Sequence, residues 1–121
     1  MVPLRSDGDP EDALRAVLRG LAVSAREANL ARAAVLEAAL AALDEGSLTP
    51  EQRAAAVHAA HQVVGSAGTF GRRRSSELAS GLERFFRQGH DAGQDPDDLE
   101  RARAAVTELR DDLTRDHQEE T

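Results

Sequence analysis

The sequence predicts an all-α fold, an antiparallel up-and-down four-helix bundle, and three observations carry that prediction. Apolar residues recur at alternating spacings of three and four in successive stretches, the period of a helix that buries one face. Helix-start signatures stand at Asp9-Pro10-Glu11-Asp12, Thr49-Pro50-Glu51-Gln52 and Asp95-Pro96-Asp97-Asp98: a capping side chain, proline at the first helical position, then acidic or amide residues. No stretch follows the two-residue period of a strand. Amphipathic helices joined by short connections bury their stripes most simply in an antiparallel bundle.

Taken in order, Met1 to Gly8 is polar and reads as a loose lead-in. From Pro10 a stripe of Leu14, Val17, Leu18, Leu21, Ala25, Ala28, Val35, Leu36, Ala39, Leu40 and Leu43 runs to Glu45, where Gly46-Ser47 supplies the stop. Gly20 lies inside this run and leaves open one long helix or a bundle helix preceded by an extra N-terminal helix. The second helix runs from about Pro50 to Thr69, with Thr49 and Gln52 placed to form a capping box and Gly68 and Gly71 bracketing its end. Leu78, Leu82, Phe85 and Phe86 mark a third helix, broken by Gly89 and Gly93. Leu99, Ala102, Val106, Leu109 and Leu113 mark a fourth, before an acidic tail over 116–121. The whole chain, 1–121, reads as one helical domain.

Composition narrows the chemistry. A net charge of −7 from 15 basic and 22 acidic residues argues against general binding to nucleic acid or anionic membranes. The absence of cysteine removes disulfide and thiolate chemistry. No signal peptide and no apolar run of about 20 residues is visible, so a cytoplasmic protein is the expectation. No P-loop or Rossmann glycine pattern, serine-nucleophile set or carboxylate pair can be assembled, so no self-sufficient enzyme and no ATP-binding kinase is expected.

The informative stretch is Val57 to Gly71. On a helical wheel Ala56, Ala59, Val63, Ala67 and Phe70 lie within roughly 60° of the point opposite His61 and form the core face. Ala54, His58, Gly65, Gly68 and, on an extended helix, Arg72 share the His61 side. Glycine inside a helix costs about 1 kcal/mol relative to alanine, so two of them beside an exposed histidine suggest clearance for another molecule. An imidazole acts as nucleophile through one nitrogen when a carboxylate holds the proton on the other, and Glu83 on the next helix lies at a comparable height if the two helices form a hairpin. His58 and His61 alone make a weak metal pair, and no metal site is expected. His90 and His117 have no identifiable partners.

A-H-Q-V-V-G-S-A-G-T-F-G at Ala60–Gly71, followed by L-A-S-G-L-E at Leu78–Glu83, resembles the phosphoacceptor signature of histidine-containing phosphotransfer (HPt) domains. The likeness extends more loosely over Leu14 to Phe86. It implies a four-helix bundle in which His61 accepts a phosphoryl group, Glu83 holds the other ring nitrogen, and His58, Gln62, Val64, Gly65, Gly68 and Arg72 form the face that docks a partner. It further implies exchange with the aspartate of a response-regulator receiver domain or with a hybrid histidine kinase, with no cofactor of its own and Mg²⁺ carried by the receiver. The family often has lysine three residues after the histidine or immediately after it, where this chain has Val64 and Gln62. Arg72, with Arg73 or Arg74, could supply the missing cation, or the three could be plainly solvated. Two other readings stay open: a degenerate HPt-like module that docks a receiver without transfer, and a purely structural bundle. A monomer is expected, although the apolar length of Leu14 to Leu43 leaves a helix-one dimer open.

Overall fold

The computed structural model describes residues 9–89 and 95–115. Its elements are α1 (Pro10–Asp44), α2 (Pro50–Thr69), α3 (Arg73–Arg87) and α4 (Pro96–Thr114). No strand occurs among the described residues. Each helix packs against two neighbours, α1 on α2 and α4, and α3 on α2 and α4, which closes an up-and-down square. The lead-in over 1–8, the tail over 116–121, Gly93, His90 and His117 lie outside the described residues.

The expected start signals act as helix caps. Asp9 Oδ1 accepts from the Glu11 amide and Asp95 Oδ1 from that of Asp97, each at 2.9 Å. Thr49 and Gln52 form the full capping box, at 3.0 and 2.8 Å. Each pair satisfies amides that the first helical turn leaves without a carbonyl. α1 is continuous through Gly20, so the extra N-terminal helix is instead the first part of one long helix. A single glycine costs about 1 kcal/mol there and breaks nothing by itself.

Two stops share one geometry. At the end of α1, Gly46 (φ 75°) donates to the Leu43 carbonyl and Ser47 to that of Ala42. At the end of α2, Gly71 (φ 79°) donates to Gly68 at 3.2 Å and Arg72 to Ala67 at 2.8 Å. Both are Schellman turns, which need a left-handed residue that only glycine adopts without strain.

Leu36, Leu40, Ala56, Ala60, Val63, Leu82, Phe86, Val106, Leu109 and Leu113 form the centre of the core. Alanine on α2 keeps that helix close to its neighbours, and the volume comes from leucine and from Phe85 and Phe86, whose rings meet edge to face with centroids 5.2 Å apart. Phe70 is only half-buried, because it caps α2 at the bundle's end. Buried polar groups link the helices: Asn29 on α1 donates to Ser66 Oγ on α2 at 3.2 Å, and Ser75 Oγ on α3 donates to Asp112 on α4 at 2.5 Å.

Arg72 departs from expectation. It is buried, and its guanidinium donates to the carbonyls of Asp112 at 2.6 Å and Arg115 at 2.8 Å, closing the C-terminal end of α4. A cation there meets carbonyls at the helix end and the negative end of the helix dipole. Arg72→Ala is therefore expected to destabilise the protein by about 2–3 kcal/mol, read as a lower urea midpoint at unchanged slope. Arg72→Lys should recover only part of this, because an ammonium cannot fork between two carbonyls.

Candidate functional site

His61 stands on the solvent face of α2 with its side chain 66% exposed, while Ala56, Ala59, Ala60, Val63 and Ala67 are buried on the other side. The predicted division of this helix into a core face and an open face is thus present in the fold. Glu83 on α3 reaches across the hairpin, placing Oε2 at 3.3 Å and Oε1 at 3.4 Å from His61 Nδ1. Its side chain is only 16% exposed, so the carboxylate forms part of the wall behind the ring. An ionised carboxylate can only accept, so this contact is attractive when Nδ1 carries the proton. The lone pair then belongs to Nε2, the nitrogen available to an electrophile arriving from solvent.

Arg87 completes the arrangement, and the sequence reading did not single it out. One helical turn beyond Glu83, it donates to Oε2 from Nη2 at 2.8 Å and from Nε at 3.1 Å. The carboxyl of Glu83 is held below its ordinary value of 4.5, first by the hydrogen bonds from Arg87; desolvation opposes this and His61 adds to it. Arg87 thus brings positive charge onto the carboxylate that faces the imidazole. The signal was present as a Glu-to-Arg spacing of four on a helix, a pattern common enough on solvated faces to carry little weight alone.

The remaining expected site residues divide. His58 is exposed one turn before His61, and Gln62 is half-buried beside it. Val64 is half-buried against the core, and with Gly68, Gly71, Arg73, Ser76, Glu77 and Ser80 it lines a shallow depression between α2 and α3. Gly65 is exposed, and no atom of another element lies within 4 Å of where its β-carbon would sit. Packing therefore does not demand glycine at this position. At Gly68 a β-carbon would lie 3.6 Å from Ser76 Oγ, an ordinary contact.

Arg72 does not belong to this face. The wheel that placed it beside His61 assumed a helix continuing past Thr69, whereas the turn at Gly71 redirects the chain and sends the guanidinium into the end of α4. Arg74 pairs with Glu108 at 2.7 Å on the α4 side. Of the cluster, Arg73 borders the depression and is exposed. The chain has no lysine, since all 15 basic residues are arginines. Among the described residues no group of three or more His, Cys, Asp or Glu side chains gathers as a metal site would require. No described helix is long and apolar enough to cross a membrane.

Three outcomes follow from this geometry. The carboxyl of Glu83, observed by carbon NMR, is expected to titrate below 4.5 and to move back up in Arg87→Gln, which removes the largest cause of its depression. Because the folded value lies below the unfolded one, the stabilisation it reflects is complete above 4.5 and is lost as pH falls through the depressed value; Glu83→Gln should flatten that acid limb. Gly65→Ala should raise stability by about 0.5–1 kcal/mol in urea unfolding, since it removes a helix penalty without a clash.

The family model described as the Hpt domain matches residues 24–115 of the chain. Comparison with curated proteins gives no match, and neither does comparison with solved structures. The matched span takes in most of α1 and all of α2, α3 and α4, and so contains both His61 and Glu83. The chain belongs to the Hpt-domain family, the helical histidine phosphotransfer modules of phosphorelays.

Proposed function

We propose that His61 is the phosphoacceptor and that the protein exchanges the phosphoryl group with the aspartate of a response-regulator receiver domain. The observation that carries this reading is the solvent-facing imidazole backed through Nδ1 by a carboxylate that Arg87 also holds by two hydrogen bonds. In the forward step Nε2 attacks phosphorus in line, a P–N bond forms, and the P–O bond to the receiver's aspartate breaks, returning that aspartate as a free carboxylate. Mg²⁺ and the cation that offset charge in this step sit on the receiver, so this chain needs no metal of its own. Glu83 stabilises the positive charge that the ring takes on when Nε2 is phosphorylated, because Nδ1 keeps its proton.

Docking uses the open side of α2, with His58, Gln62, Val64, Gly65 and Gly68 around His61 and with Arg73 at the rim in place of Arg72. Gly65 lets the receiver's backbone approach the ring. That role explains a helical glycine for which the protein's own packing gives no reason. The absence of lysine at 62 and 64 favours one alternative, a module that docks a receiver but does not transfer.

The two readings part on incubation with labelled phospho-receivers. Wild type and His58→Gln should take up label and His61→Gln should not. Glu83→Ala should slow uptake about 10- to 100-fold, the loss of one charge-assisted hydrogen bond of about 1.5–3 kcal/mol. Binding to a receiver without any uptake of label would establish the docking module instead. Label retained in His61→Gln would place the acceptor elsewhere.

A further inference from the structure

We propose that the first part of α1 pairs antiparallel with the same segment of a second copy, joining two phosphotransfer bundles through a two-helix seam. The buried residues of α1 begin at Asn29, and every residue from Pro10 to Leu21 is exposed. The family match also begins only at residue 24, so this exposed segment lies ahead of the matched residues.

The segment is not a polar spacer. Leu14, Val17, Leu18 and Leu21 share one face and are 57%, 57%, 50% and 52% exposed. A contiguous stripe of large aliphatic side chains on an isolated helix is the pattern of an interface.

The flanks of the stripe select the occupant. With Leu14 as reference on the wheel, Glu11, Arg15 and Arg26 fall on one flank and Ala13, Gly20 and Ser24 on the other. Antiparallel pairing about a twofold axis near Leu18 sets like flank against like flank. Glu11 of each copy then lies level with Arg26 of the other, so two complementary contacts form at the ends of the seam. On the opposite side the small residues meet and let the backbones approach. Gly20, which has nothing within 4 Å of its absent β-carbon, gains a reason there. Parallel pairing would set the charged flank against the small one, leave both charge matches unmade and align the helix dipoles unfavourably.

Length agrees with this arrangement. The overlap from Glu11 to Arg26 spans about 24 Å at helical rise. In the same register the start of α1 in one copy, Pro10, lies level with Glu27 of the other, just before the buried Asn29, so pairing ends where each bundle begins. Each His61 face is on α2, outside the seam, and stays available to a receiver. A seam of this size is at the small end of stable interfaces, which gives a reversible dimer rather than an obligate one. It develops the helix-one dimer that the apolar length of α1 leaves open beside the expected monomer.

Sedimentation equilibrium on the full chain from about 5 to 500 μM tests this, with a dissociation constant expected in the micromolar range. Leu14→Ser/Leu18→Ser should weaken association at least about tenfold, Glu11→Arg and Arg26→Glu should each weaken it, and the double charge swap should restore it. The chain has no cysteine, so Leu18→Cys near the axis should form an intermolecular disulfide and Leu14→Cys should not. A monomer throughout the range, a swap that fails to restore association, or equal cross-linking at both positions would overturn the proposal.

Discussion

The reversal at Gly71 sets the height at which α2 and α3 face each other, and the contact between His61 and Glu83 depends on that height. Arg72 is the midpoint of the 22 positions separating His61 from Glu83, so ring and carboxylate each stand about 16 Å along their helices from the turn. The Schellman bonds fix the exit of α2, and Arg72, locked onto the α4 carbonyls, fixes the entry of α3. Ser75 and Asp112 hold the same corner one turn further on. A slip of one residue in this hairpin would rotate Glu83 by about 100° away from the imidazole. One left-handed glycine and one buried arginine therefore position the His61–Glu83 pair, to which neither contributes an atom.

Within the site the division of labour is electrostatic. In the proposed role Glu83 selects which ring nitrogen keeps the proton, and Arg87 holds the Glu83 carboxylate by two hydrogen bonds and lowers its pKa. The Glu83 carboxylate is partly shielded while the ring itself is open, which is the arrangement the proposed nucleophile needs. Where the family often has a lysine beside the histidine, this chain has Val64 and Gln62, and Arg87 instead places positive charge on the carboxylate that faces the imidazole. Under the proposed function, positive charge on this side supports the proton-holding carboxylate, and most of the charge that offsets a transferred phosphoryl group is supplied by the docked protein.

Much of this was legible in the sequence, and the reasons are local. Caps, proline starts and the three-and-four spacing depend on neighbouring residues, so the ends of α2 at Pro50 and Thr69 and the open face of His61 could be read directly. The pairing with Glu83 needed only the assumption of a hairpin. Arg72 was misplaced because the wheel extends a helix in a straight line, whereas one left-handed glycine turns the chain. Arg87 was passed over because its spacing from Glu83 looks like any solvated ion pair until the carboxylate is seen to face a second partner. The Asn29–Ser66 and Ser75–Asp112 links were invisible for a different reason: each joins residues 37 apart through geometry that only the packed bundle defines.

The central claim is that Glu83 leaves Nε2 of His61 as the nucleophile, and the position of the phosphoryl group on the ring tests it most directly. Protein labelled with ¹⁵N in its histidine rings can be phosphorylated with a small phosphoramidate donor and examined by NMR for phosphorus–nitrogen coupling. Coupling to Nε2 of His61, with Nδ1 still protonated toward Glu83, is the predicted result. Coupling to Nδ1 of His61, or to either nitrogen of His58, would contradict it.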